Sequence, residues 1–216
     1  MMSAETELSD LEFAALISSR ICHDVISPVG AIANGLEVLA EESDEAMREH
    51  AFNLIKQSAA KASAKLQFDR LAFGAAGSPG AEIDLRDAEN VTRGLLDGNK
   101  HQLDWSGPVA MLPKNKVKLL LNMIAIGLFA LPRGGSVKVT IAGDGQLASF
   151  EVKCQGERAV LPPGVAELLN SGNGHALDAH SIQPYYTGRL ARDVDMTLEV
   201  SAENESVSLK AMAAQG

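Results

Sequence analysis

The run Arg20-Ile21-Cys22-His23-Asp24-Val25-Ile26-Ser27-Pro28 holds the residues of this chain best suited to chemistry. At roughly 100° of rotation per residue, Ala14, Ile17, Ile21, Val25, Ile32, Leu36 and Leu39 share one face of a helix, and His23 falls nearly opposite the centre of that face. A histidine so placed gains nothing from packing and turns its imidazole to solvent. Asp24 can accept a hydrogen bond from one ring nitrogen, which leaves the other unprotonated and nucleophilic. Pro28 has no N–H to give the carbonyl of Asp24, so the helix is loosened one turn beyond the histidine. The chemistry predicted is that of an adjustable surface nucleophile.

The same outward strip continues through Ser27, Gly30 and Asn34. Small residues below the histidine would let a partner helix come close while its reactive group reaches the imidazole; the plainer reading is of surface residues in a poor helix former. Arg20, one turn before His23, either steers an anionic group or is a solvated charge. The other histidines are expected to be bystanders. His50 lies near the start of a second helix, about 20 Å along the axis from the level of His23. His101, His175 and His180 stand in loop-like sequence with no acidic or metal-ligand spacing, and a surface role is expected for each.

Two long helices must carry the strip. Leu11 to Glu42 reads as one helix running through Pro28, and Glu45 to Phe73 as a second, with Ser43 or Asp44 able to cap it. A short connection makes them an antiparallel hairpin. A lone hairpin has an apolar stripe with nothing to cover it, which dimerisation into a four-helix bundle would answer. Gly74 to Ala81 (GAAGSPGA) has no periodicity and reads as a linker, so the expected division is 1–73, a linker at 74–82, and a second unit at 83–216. There the pattern alternates. Helices are expected at Asp84–Leu96, Pro113–Leu131, Pro163–Leu169 and Ile182–Arg192. Strands are expected at Gln102–Ser106, at Ser136–Ala142 and Leu147–Lys153 joined through Gly143-Asp144-Gly145, and at Met196–Val200 and Ser206–Ala211 around Glu203-Asn204. The fold class is α+β: a helical hairpin followed by an α/β sandwich, a mostly antiparallel sheet with helices on one face.

A net charge of −9 argues against nucleic acid or an anionic membrane as the main partner, because the overall field repels both. The two cysteines, Cys22 and Cys154, lie far apart with no metal-ligand spacing, as suits a reducing cytoplasm. Neither a targeting segment nor an apolar run near the ~20 residues of a membrane span is found.

RICHDVISPVGAI resembles the phosphoacceptor box of two-component histidine kinases, in which a His is followed by Asp or Glu and then Pro in the first helix of a dimerisation hairpin. The likeness extends over nearly the whole chain: hairpin, linker, and a unit with the element order of the kinase ATP-binding module. More narrowly, the chain is similar to the ChpT-type histidine phosphotransferases. In the kinases the ATP module carries an Asn-rich helix that holds Mg²⁺, an Asp-x-Gly-x-Gly adenine loop and a glycine-rich phosphate loop. Counting back from Gly134-Gly135, the first Asn falls on Asn122 but the metal-binding one on Ile126, which has no oxygen to offer a hard cation. The adenine loop corresponds to Cys154-Gln155-Gly156-Glu157-Arg158, and the phosphate loop to Gln183-Pro184-Tyr185-Tyr186-Thr187, its glycines gone. ATP binding is therefore not expected. Tyr185 and Tyr186 are expected to fill the vacated nucleotide space, and Glu157 and Arg158 to face a docked partner.

The resemblance implies a homodimer whose His23, assisted by Asp24, carries a phosphoryl group between receiver domains of a hybrid histidine kinase and of response regulators, in cell-cycle control. It implies no cofactor of the chain's own, Mg²⁺ coming with the receiver. Two other readings stay open: a divergent ATP-dependent histidine kinase, and a non-catalytic adaptor that only binds receivers.

Overall fold

A computed structural model describes residues 8–74, 80–170 and 177–214. Most of the expected linker, and His175, lie outside the described residues. Helix α1 runs from Asp10 to Glu41 and opens on a capping box in which Ser9 and Glu12 each bond the other's backbone. It continues through Pro28. Arg48 donates to the carbonyl of Glu42 at 2.9 Å, closing the end of α1. Of the two candidate caps for α2 (Glu45–Ala72), Asp44 acts: its carboxylate accepts from the Ala46 N–H at 2.9 Å. The helices cross closely at Gly35, where an added Cβ would stand 2.6 Å from Cγ1 of Ile55.

The α+β architecture is as expected. Strands β2 (His101–Ser106), β4 (Gly135–Ala142), β5 (Ser149–Gln155), β6 (Met196–Glu203) and β7 (Ser206–Ala213) form one sheet in the order β2-β4-β5-β7-β6. Only β2–β4 is parallel. Asn204 and Glu205 both have positive φ, making the tight turn between β6 and β7. The connection expected at Gly143-Asp144-Gly145 runs further than expected, because Gly145–Leu147 winds into a 3₁₀ turn and β5 begins only at Ser149 rather than Leu147. A small second sheet pairs β1 (Glu82–Asp84) with β3 (Met111–Pro113), three residues each and too short to show periodicity. Asp84 is the cap of α3 (Leu85–Leu96) rather than its first turn.

Helix α4 (Lys114–Phe129) is buried almost all round, between the sheet and the remaining helices. Helix α5 (Val165–Asn170) and helix α6 (Ile182–Asp193) complete the helical layer. The core does not stop at the hairpin. Phe68 and Ala72 of α2 are wholly buried in one cluster with α4 and the sheet strands. Asn122 of α4 donates to the carbonyl of Ala72 at 3.1 Å. Among the described residues no helix is long and apolar enough to cross a membrane.

Candidate functional site

His23 stands on α1 with its side chain 57% exposed. The hydrogen bond expected from Asp24 is not made: Oδ1 lies 3.8 Å from Nδ1 of His23, beyond bonding distance. The reason is competition. Oδ2 of Asp24 is held by Nζ of Lys65 at 2.9 Å and by the Arg20 guanidinium at 3.3 Å. Asp24 therefore faces the interhelical seam with its charge compensated, and Nδ1 is the His23 nitrogen turned toward it. Arg20 is not a solvated charge, its side chain being only 12% exposed. Its Nε has no hydrogen-bond partner.

The helical spacing of α2 includes Lys65 after Ser58 and Ala62 without giving it a part in the site, although the signal is present: it and Asp69 are charges on the buried face of α2. Lys65 also approaches Asp69, at 3.8 Å. Asp69 is 2% exposed, and burial pushes its carboxyl up to about 6, Lys65 opposing and Asp24 adding to the rise. An acid that holds its proton more tightly folded than unfolded favours the fold at low pH. Its contribution therefore declines as pH rises from about 4 to about 6, by about 3 kcal/mol. Asp69→Asn is expected to remove that decline and to be more stable than the parent above pH 7, measured as the difference between the two unfolding-midpoint profiles against pH.

Ser27 and Asn34 are exposed on the His23 strip. Gly30 has open space around it, an added Cβ meeting nothing within 4 Å. Glu157 and Arg158 are exposed on the loop after β5, where Glu157 pairs with Arg133. Neither lines the cleft beside α1.

That cleft has a volume of about 190 Å³; among the residues lining it are Ile126, Phe129, Pro162, Pro163, Arg20 and His180. Asn122 is fully buried and spends its amide on Ala72 and on the carbonyl of Lys118 at 2.9 Å. The thiol of Cys154 is buried and pushed up to about 12. Tyr185 and Tyr186, expected to fill the vacated nucleotide space, pack against Phe13 and Phe73 and dock α6 onto the hairpin. Phe13 of α1 lies 6.3 Å and 5.7 Å from their rings, and Phe73 lies 5.7 Å from Tyr186. Burial pushes the Tyr186 hydroxyl up to about 12. Among the described residues no cluster of three or more His, Cys, Asp or Glu could hold a metal.

Docking of α6 brings in a residue expected to be a bystander. His180 sits edge-on to His23, ring centroids 4.9 Å apart. Its backbone is fixed by Asp178, which accepts from the N–H groups of His180 and Ser181 at 2.9 and 2.7 Å. His101, also expected in a loop, opens strand β2 and places Nε2 3.2 Å from the carbonyl of Leu131. His50 is exposed on α2.

A histidine exposed on a helical hairpin that is joined to an α/β sandwich fits the phosphotransferase class. Residues 85–206 match the family described as histidine phosphotransferase C-terminal domain, and the chain belongs to the histidine phosphotransferases. It is 48% identical over 212 residues to protein phosphotransferase ChpT of Brucella abortus (strain 2308), covering 97% of this chain and 100% of that one. A solved structure of a bacterial phosphotransferase matches with a TM-score of 0.88 at 46% identity, over 97% of this chain and 100% of the other. The histidine kinase domain of a blue-light-activated kinase from Erythrobacter litoralis aligns over 85% of this chain and 94% of its own, at 10% identity and a TM-score of 0.46.

Proposed function

We propose that His23 accepts a phosphoryl group from the aspartyl phosphate of a hybrid kinase's receiver domain and passes it to the receiver aspartates of response regulators, in a phosphorelay serving cell-cycle control. The observation that carries this reading is the exposed His23 ring, with Nε2 turned from Asp24, beside a cleft whose walls offer a nucleotide little polar purchase. Transfer is in line. The Nε2 lone pair attacks phosphorus, the Nε2–P bond forms as the acyl P–O bond breaks, and the electron pair leaves with the receiver's carboxylate. The return step reverses these bonds on a second receiver. Mg²⁺ belongs to the receiver's acidic pocket in this scheme, and the chain brings no cofactor. Asp24 is a positioning residue, held by Arg20 and Lys65. Ser27, Gly30 and Asn34 offer a low surface for the partner helix. Glu157 and Arg158 form an outlying contact with it.

The working form is a cytoplasmic homodimer. Val29 and Leu36 of α1 and Phe52 and Leu66 of α2 are exposed apolar side chains. At 100° per residue the two on α1 lie roughly 120–140° from His23, so a second hairpin can cover them without covering the histidine. The double variant Leu36→Glu, Phe52→Glu is expected to run as a monomer in light-scattering chromatography where the parent runs as a dimer. A monomeric parent at micromolar concentration would remove the dimer from this scheme.

The reading is tested by offering the protein ³²P from two sources, a phosphorylated receiver domain and ATP. Acid-labile label from the receiver alone is the expected result; label from ATP alone would make the protein a kinase.

A further inference from the structure

We propose that His180 is a second working histidine of the site: a positioning residue that holds the unloaded His23 ring in its attacking orientation and donates an N–H to a phosphoryl oxygen once His23 is loaded. The juxtaposition of two imidazoles from opposite ends of the chain carries the inference, which rests on His23 as the phosphoacceptor.

The contact is built rather than incidental. His180 lies on the turn that leads into α6, and the carboxylate of Asp178 pins that turn through three hydrogen bonds, from the N–H of His180, the N–H of Ser181 and the hydroxyl of Ser181 at 2.7 Å. Those bonds hold the Asp178 carboxyl below its ordinary range, so the clasp stays charged. Helix α6 is in turn seated on α1 by Phe13 with Tyr185 and Tyr186, about ten residues before His23. The His180 ring therefore arrives from a backbone fixed on both sides. Its orientation, 79° to the His23 ring, sets edge against face, the arrangement aromatic pairs favour.

Loading changes what the site requires. A phosphoryl group on Nε2 of His23 brings at least one negative charge to a ring that carried none, and its oxygens need donors. Lys65 and one edge of Arg20 are already engaged by Asp24. Among the described residues lining the cleft, Arg20 has an unpartnered but buried Nε, whereas His180 is exposed with its imidazole beside His23. Of the two, only His180 stands in ring contact with the nucleophile. No proton need leave His180 and no bond to it forms, so the transfer balances as written without it. Its part is to set the angle before attack and to hold the oxygens after it.

The experiment compares single-turnover uptake of phosphoryl from a phosphorylated receiver domain, and the lifetime of the resulting phosphohistidine, in full-length wild type, His180→Phe, His180→Gln and His23→Ala. Phenylalanine keeps an aromatic edge and lacks a donor; glutamine keeps a donor and lacks the ring. His180→Phe, with the ring edge kept, should take up phosphoryl at close to the parent rate and lose it about tenfold faster, the factor one charge-assisted hydrogen bond carries. His180→Gln should recover part of the lost lifetime. Position 180 is exposed, so unfolding midpoints should stay at the parent value. A wild-type lifetime in His180→Phe would overturn the inference and leave the contact as packing. Label taken up undiminished by His23→Ala would instead overturn the phosphoacceptor assignment, a result that reads separately from the first.

Discussion

Alanine at position 23 is expected to abolish acid-labile label from a phosphorylated receiver domain, a loss on the order of 10³-fold or more, because among the described residues no other histidine nitrogen stands in its place. His180, though in ring contact, is offset by 4.9 Å between centroids and hangs from a turn pinned by Asp178, so it cannot take the attacking position without breaking that clasp. His50 and His101 lie elsewhere, the first exposed on α2 and the second turned to the Leu131 carbonyl. The substitution should leave the fold intact. A side chain 57% exposed with no hydrogen bond has little to lose on truncation. Receiver binding measured by calorimetry should survive with the unfolding midpoint, separating loss of chemistry from loss of docking. A His23→Ala protein that still carried label would move the nucleophile to another residue.

The second large effect concerns the seat of α6. Gly188 lies where α6 crosses α5, and a Cβ added there would stand 2.4 Å from the carbonyl oxygen of Leu169 and 3.1 Å from that of Leu168. Both obstacles are backbone of a packed helix and cannot swing aside as a side chain would. Gly188→Val is expected to cost about 3 kcal/mol in urea unfolding. It should also slow phosphoryl uptake more than stability alone explains, since α6 must tilt and carry His180 off the His23 ring. Wild-type stability in the variant would mean that α5 yields freely, and the account of how α6 is held would fail with it.

The candidate nucleophile stands out in the sequence because its pattern is local: His, Asp and Pro within six residues of one helix, set against an apolar face. The face itself was read as one stripe where the structure has two. The crossing with α2 centres on Gly35, the only fully buried residue of α1, while Leu36, counted into the stripe, is 54% exposed. Apolar side chains on the seam and on the uncovered flank are adjacent in angle, and periodicity averages them. The alternation of Ser136–Ala142 and Ser206–Ala211 announced strands that pack one face on α4, and those strands are present as β4 and β7. Lys65, Asp69 and His180 were not legible as parts of the site. The first two act through a seam whose register depends on the Gly35 crossing. The third is brought in by aromatic docking between segments more than 150 residues apart, for which no local rule exists. Tyr185 and Tyr186 stand out in the sequence as bulk in place of glycine, and their rings pack toward α1.

The final turns of α2 carry a mechanical consequence. With Phe68 and Ala72 sunk into the sandwich core and the Ala72 carbonyl tied to Asn122, the hairpin grows out of that core like a mast stepped into a hull. An enzyme that fuels its own histidine must ferry a nucleotide to it and withdraw, which calls for a joint. A carrier loaded from outside has no such journey to make. On the proposed function stiffness becomes the asset: each arriving receiver would meet the imidazole at one height and one bearing, and the visitor alone would make the approach.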